Sequence, residues 1–421
     1  MLIRQVLAAL GCAVSLAVLP ATAASADTVR DNQQWGLDMM NVSAAWQLTR
    51  GGGVTVAVID SGVYPNVSDL AGSVRDGPDY TGLRTGPSNP DWGVHGTWMA
   101  SLIAGHGHGP GGDSGVIGVA PRSKILSIRV IPDRADPHYR RYAREQEPDI
   151  QESLADGIEF AVGHGAQVIS MSIGYSAPNG AVRQALRDAF SHGVVVVASA
   201  GNSGVPAGTK DSGQAPVSFP ADYPGVISVG AVGQTGKVAS FSSDNLSVQV
   251  AAPGVGVPAQ GRDGQYWWVS GTSPACALVA GVVALIKSRH PGLAPNLVAS
   301  ALITTTGNRP PGGYDSQVGF GIVDAAAALA KAAKLAADPP APAGLSPAAR
   351  FGGGRAAVPA APVRPRGSGP LILFALLALA SVVLAGACGI RRSALRRQPG
   401  DLPRAPQPAR PDWPVTTETP Q

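Results

Sequence analysis

Three short stretches of the chain carry residue types that together can break an acyl bond. Asp60 ends the run Val-Ala-Val-Ile-Asp, His95 opens His-Gly-Thr-Trp-Met-Ala-Ser, and Ser273 lies in Gly-Thr-Ser-Pro-Ala-Cys-Ala. A serine hydroxyl is a poor nucleophile at neutral pH unless a neighbouring base takes its proton and a third group fixes the tautomer of that base. On that logic Ser273 is the expected nucleophile, His95 the general base and then acid, and Asp60 the carboxylate behind the imidazole. The order Asp, His, Ser is one of three chain orders that unrelated folds use for this set. A lone Gly-Thr-Ser would carry little weight; three local signatures in one order carry much more.

Such a site also needs donors for the charge that develops on the attacked carbonyl oxygen. Gly271 allows a tight turn, and the apolar run after Ser273 predicts a helix. The serine then sits at a helix N-terminus, where free amides and the dipole favour negative charge. Asn202 follows the run Val-Val-Val-Val-Ala-Ser-Ala-Gly. By itself it reads as a turn residue. Beside the other signatures its side-chain amide becomes the expected oxyanion donor, with the Ser273 backbone N–H as the second.

The elements that must position these groups are legible as alternating patterns. Short Val-rich runs predict strands at 54–59, 125–130, 168–172, 194–199 and 226–229, and helical patterns fall at 96–105, 151–163, 180–191 and 273–290. Strands alternating with helices imply an α/β fold with a mostly parallel sheet and helices on both faces. Ligands in such sheets sit beyond the carboxyl ends of strands, and both Asp60 and Asn202 directly follow a strand.

The rest of the 421 residues reads as targeting and tethering sequence. Residues 1–26 have a basic start, an apolar run and the small residues Ala24-Ser25-Ala26, the layout of a secretory signal peptide. Too little apolar sequence precedes Cys12 for a lipoprotein reading. Residues 27–50 are expected as an N-terminal extension, 51–335 as the catalytic domain and 336–369 as a Pro/Ala/Gly-rich linker. Residues 370–390 are uncharged and long enough to cross a bilayer. Arg391, Arg392, Arg396 and Arg397 then place the tail 391–421 in the cytoplasm by the positive-inside rule. The expectation is a type I single-pass protein of the cell membrane, with its large domain outside the cytoplasm.

Net charge is +4, and six arginines against Asp401, Asp412 and Glu418 in the tail supply most of it. The remainder has no basic face for nucleic acid, so none is expected as a partner. Of three cysteines only Cys276 falls in the central domain, which therefore has no internal disulfide, and a buried structural thiol is the expected reading.

Together these motifs resemble the subtilisin-like serine proteases over roughly residues 50 to 330. Val168-Ile169-Ser170-Met171-Ser172-Ile173-Gly174, Phe219-Pro220-Ala221-Asp222-Tyr223-Pro224 and Ala252-Pro253-Gly254 also match the family's pattern. The resemblance implies a three-layer fold in which Ser172, Ile173 and Gly174 pair with substrate backbone as an added strand. It also implies that Ser199, Ala200 and Gly201 line the primary specificity pocket. No cofactor or metal is implied.

The order of segments further resembles the mycosins, membrane-anchored proteases of type VII secretion systems. Gln33-Gln34-Trp35-Gly36-Leu37 through Ala45-Trp46 is similar to their N-terminal extension. That resemblance implies protein or peptide substrates and association with a type VII secretion membrane complex. The alternative is a scaffold role in such a complex, with proteolysis secondary. The chain departs from mycosins in lacking paired cysteines in the domain, and Pro274 stands where a larger apolar residue is usual. Only about 33 residues separate Ala26 from Asp60, short for a folded inhibitory prodomain, so none of the usual kind is expected.

Weaker signals have ordinary readings. His106-Gly107-His108-Gly109 has no third ligand at metal spacing and reads as a flexible Gly-rich loop. Asp69 stands where many subtilisins place a calcium ligand, but the loop 110–114 lacks the matching amide side chain. The charged stretch from Asp133 to Asp149 reads as a solvated surface insertion.

Overall fold

The Val-rich runs form the middle of a sheet because both of their faces are covered. In Thr55–Asp60, Val56 and Val58 pack into one apolar cluster while Ala57 and Ile59 pack into another on the opposite face. This is the alternation a buried parallel strand produces. The computed structural model of the chain describes residues 28–338 apart from 84, 135, 140–146 and 205–214. The expected signal peptide, membrane span, tail and the linker from 339 onward lie outside these residues.

Among the described residues the strands are β1 Thr55–Asp60, β2 Val74–Asp79, β3 His106–His108, β4 Ser114–Ile117, β5 Lys124–Arg129 and β6 Val168–Met171. They continue with β7 Val195–Ser199, β8 Ile227–Val232, β9 Val250–Pro253, β10 Val257–Gln260 and β11 Tyr266–Val269. The α-helices are α1 Thr28–Met39, α2 Val42–Ala45, α3 Val94–Ala104, α4 Glu147–Gly163, α5 Gly180–Ser191, α6 Thr272–Arg289, α7 Pro295–Thr304 and α8 Ala325–Ala337. Seven strands make one parallel sheet in the order β2-β5-β1-β6-β7-β8-β9. The expected α/β fold with helices on both faces is therefore present. β10–β11 and β3–β4 are antiparallel hairpins beside it.

The chain leaves β1 for β2 and β5 on one side and then crosses to β6 on the other. Residues beyond the ends of β5, β1 and β6 thus meet at the point where strand order reverses, the usual place for a site in an open parallel sheet.

α6 runs under the sheet and is apolar on every side. Its residues from Pro274 to Lys287 are all buried, and it packs on β6, β7, β8, β9 and α3. It is the one helix among the described residues long and apolar enough to cross a membrane, and most of it is enclosed within the domain. Gly281 lets α6 approach the loop after β4: a Cβ there would lie 2.6 Å from the Cβ of Val119. At the far end Lys287 is buried, and its ammonium donates to the carbonyls of Gly193, Pro291 and Leu293. Those three acceptors match its three protons and make the buried charge tolerable.

The stretch expected as an N-terminal extension is packed into the same core. Leu37, Met40, Val42 and Ala45 are buried in the cluster that contains α6. Gln33 exchanges hydrogen bonds with the backbone of Ile117, and the Trp46 indole N–H donates to Val119 O at 2.8 Å. The first and last elements also touch: Ala325 N–H donates to Met40 O at 2.8 Å. α8 runs to Ala337, two residues into the stretch expected as linker.

Two surface expectations change. His106-Gly107-His108 is a paired strand, held because His108 Nδ1–H donates to buried Asp69 at 2.7 Å. The Asp69 oxygens also accept from Val116 N–H and Tyr266 OH. The stretch from Asp133 opens with two carboxylates, Asp133 and Asp136, that are buried rather than solvated. Asp136 is held by His138 and lies 3.7 Å from the Arg129 guanidinium, which also pairs with Asp79.

Cys276, on α6, is fully buried as expected, and burial pushes its thiol up to about 12. The thiolate is the reactive form, so such a group is inert. Iodoacetamide at about pH 8 should leave Cys276 unmodified in the folded domain and alkylate it after denaturation, as read by peptide mass spectrometry. Rapid alkylation of the native protein would contradict this packing.

Candidate active site

Asp60 is the last residue of β1 and is fully buried. Its Oδ1 accepts from Ser61 N–H at 2.7 Å and from His95 Nδ1–H at 2.8 Å. A carboxylate can only accept, so this bond fixes the imidazole proton on Nδ1 and leaves Nε2 with its lone pair. His95 is the second residue of α3, and its side chain keeps 29% of its exposure. Gly96 is required beside it: a Cβ there would lie 2.1 Å from Gly62 O, so only glycine lets the helix start press against the loop after β1.

Two opposing effects set the acidity of His95. Burial disfavours the imidazolium, while the charge and hydrogen bond of Asp60, helped by Asp133, favour it; Arg134 acts against them. The carboxylates prevail, and His95 titrates above its ordinary 6.5.

Ser273 is the second residue of α6. The residue before the helix, Gly271, has φ 152° and ψ 174°, a conformation that side chains rarely adopt. Ser273 Oγ donates to the Ser172 carbonyl at 3.5 Å, and Ser172 Oγ donates to Ser273 O at 3.2 Å. These bonds join the start of α6 to the end of β6. Among the described residues no hydrogen bond links Ser273 Oγ to His95. Such bonds in unliganded sites are often long and tighten around substrate.

Asn202 lies just beyond β7, and its orientation is fixed. Its Oδ1 accepts from Thr272 N–H at 2.8 Å and Thr272 Oγ1–H at 3.0 Å. With the oxygen so engaged, the NH₂ is the end left to meet an incoming group. Thr272 also accepts from Gly201 N–H, tying the α6 start to the β7 end.

Of the expected substrate-contacting residues, Ser172 and Gly201 reach the start of α6 through hydrogen bonds to Ser273 and Thr272. Ser172 and Gly174 are accessible just past β6, while the Ile173 side chain is buried in the second core cluster. Ser199 and Ala200 are buried at the end of β7, and Gly201 is half-buried. Gly174 and Gly201 both turn their bare faces to Ser218: a Cβ on Gly174 would meet Ser218 Oγ at 2.3 Å, and one on Gly201 would meet Ser218 Cβ at 3.4 Å. Ser218 thus borders both glycines, a neighbour that motif reading did not find.

Other residues were also missed. Asp133 and Ser61 contact the start of α3, and Thr272 orients Asn202. Trp98 sets its ring edge-on to His95 at 6.3 Å and continues to Trp267 at 6.2 Å. Asp133 had a readable signal, since it stands a few residues past a predicted strand, as Asn202 does.

Comparisons with known proteins identify the family. The subtilase family profile matches residues 51–321. Fervidolysin from Fervidobacterium pennivorans is 35% identical over 324 residues, covering 71% of this chain but only 44% of its own length. The chain thus spans less than half of that relative. MycP1 from Mycobacterium smegmatis aligns in structure over 70% of this chain and 84% of its own, with 31% identity and a TM-score of 0.57. The MycP3 protease from the type VII (ESX-3) secretion system aligns over 70% and 87%, with 34% identity and a TM-score of 0.58. With the profile covering more than half of its residues, the chain belongs to the subtilase family.

Proposed function

We propose that the chain is a serine endopeptidase that works through an acyl-enzyme. His95 Nε2 takes the proton of Ser273 Oγ as that oxygen bonds to the scissile carbonyl carbon. The Asn202 NH₂ and the Ser273 N–H stabilise the resulting oxyanion. His95 then gives the proton to the leaving amine, the C–N bond breaks, and an ester to Ser273 remains. Water, deprotonated by His95, hydrolyses the ester and restores the hydroxyl. Asp60 holds the imidazole and offsets its charge throughout. The observation that carries this reading is the buried Asp60–His95 bond at 2.8 Å, beside a serine on a helix N-terminus whose neighbour Asn202 presents its amide.

Ser172, Ile173 and Gly174 would receive substrate backbone as an added strand, and Ser199, Ala200 and Gly201 would border the first side chain on the acyl side. Among the described residues no hydrogen bond joins an acidic side chain to these positions, which gives no basis for a strong Lys or Arg preference. The likeness to MycP1 and MycP3 supports work at a type VII secretion complex. The uncharged segment 370–390 and the following arginines support anchoring in the cell membrane with the domain outside.

Replacing Ser273 by Ala should abolish labelling by a fluorophosphonate probe and reduce cleavage to the small residue left by binding and the oxyanion donors. Asn202→Ala should lower kcat by about 10²–10³ with little change in KM. If Ser273→Ala still labels and cleaves, the nucleophile is elsewhere. A secretion defect that appears on deletion but not with Ser273→Ala would instead support the scaffold reading.

The base must be neutral to accept a proton. Because His95 titrates above 6.5, activity should fall as pH drops through a point higher than an ordinary histidine would give. An acid limb of kcat/KM below 6.5 would contradict the Asp60 and Asp133 contributions.

Fractionation tests location. The full chain should remain with membranes after a salt wash, and its domain should be digested by protease added to intact protoplasts.

A further inference from the structure

α3 carries the proposed base, yet its own sequence does not cap it. A helix leaves its first N–H groups without intrahelical partners, and the residue before it usually supplies a side-chain oxygen. Gly93 occupies that position and has none. Both nearest orphan groups are met from elsewhere. Asp133 Oδ2 accepts from His95 N–H at 2.9 Å, thirty-eight residues on, and Ser61 Oγ accepts from Gly96 N–H at 3.1 Å. The Ser61 hydroxyl also lies close enough to Asp133 to favour its carboxylate form.

We propose, resting on the serine-protease reading, that Asp133 is a positioning residue for His95: with Ser61 it caps α3 from the end of β5 and fixes where the imidazole stands between Asp60 and Ser273.

Three observations carry this. Asp133 is buried, with 6% of its surface exposed, so its carboxylate is committed to these contacts rather than to solvent. It binds the backbone N–H of the very residue whose ring must be placed. Its partner Ser61 also donates its own N–H to Asp60, so one dipeptide, Asp60-Ser61, links both carboxylates to the base. The helix N-terminus adds a favourable field for the anion. Burial works the other way and holds the Asp133 carboxyl above its usual range, against the hydrogen bonds from Ser61 and His95 N–H.

The Asp133 charge also reaches the ring. The charged groups facing His95 are Asp60 from β1, Asp133 and, in the same loop, Arg134; the two carboxylates favour the imidazolium and Arg134 opposes it. α6 contributes the neutral Ser273, and α3 the neutral Trp98. Capping and charge are therefore separable by substitution. Asp133→Asn keeps an oxygen for His95 N–H and removes the charge, whereas Asp133→Ala removes both. Ser61→Ala leaves the charge and cuts the link to Gly96.

The test uses the full chain in membranes and the second-order rate of fluorophosphonate labelling at Ser273, followed from about pH 5 to pH 9 with thermal stability in parallel. Asp133→Asn should keep a plateau rate near wild type and move the acid limb to lower pH. Asp133→Ala should lose about 10–100-fold on the plateau, the cost of a misplaced catalytic group. Ser61→Ala should lose plateau rate without the shift of limb seen in Asp133→Asn. If both Asp133 variants melt earlier but keep the wild-type limb and plateau, the residue is merely structural and the proposal is overturned. An Asp133→Asn profile that overlays wild type overturns the charge effect. Should the wild-type chain fail to label at Ser273 at all, the serine-protease reading falls, and this proposal with it.

Discussion

A helix that is apolar on all sides must be enclosed before it can exist in water, and much of this domain encloses α6. Each fully buried Val, Leu or Ile is worth about 1.5–3 kcal/mol relative to exposure, so its long run of buried side chains is a large share of the driving force. The parallel sheet covers one side of it. α3, α8 and the N-terminal helices close the rest. The same burial fixes the helix in place, and with it the first turn that carries Ser273. The stability of the core and the placement of the proposed nucleophile are thus one packing problem.

What gathers at that first turn is polar and would be costly elsewhere. β5, β1 and β6 lie side by side, and just past their ends stand Asp133, Asp60 and Ser172. Two buried carboxylates near each other repel, and burial alone would neutralise them. They are retained because the N–H groups of Ser61 and His95 and the imidazole between them supply partners. A single cap is worth only about 1 kcal/mol to stability. Its larger effect here is on where one ring can point.

Much of this was legible in the sequence. The strands that lead to Asp60 and Asn202 announced themselves through Val-rich runs, and the helix after Ser273 through its length and apolarity. Those features are local. β2 was not legible because it is an edge strand reading Val-Arg-Asp-Gly-Pro-Asp, largely open to solvent and without a hydrophobic pattern. The domain boundary was placed at 335, two residues short, because the Ala-rich end of α8 merges into the Ala- and Pro-rich sequence that follows. Asp133 and His108 were misjudged for a common reason. Polar residues in Gly- or Arg-rich company look solvated, and only the fold reveals their partners, the His95 N–H for Asp133 and the buried Asp69 for His108. Ser218 and Thr272 likewise act through neighbours distant in sequence.

The contact between Met40 and Ala325 has a consequence for how the domain comes into being. α1 and α2 precede every strand in the chain, yet the core they complete includes α6 and α8, which follow every strand. An early-emerging segment must therefore wait for the final one, and the chain cannot acquire its shape in stages from one end to the other. Closing so long a loop gives a high contact order, which slows folding. For a chain that leaves the ribosome, or crosses a membrane, beginning with its N-terminus, the sheet edges and the apolar α6 stay unprotected until the whole domain has arrived. A peptidase assembled in this way holds no finished catalytic centre during its own passage.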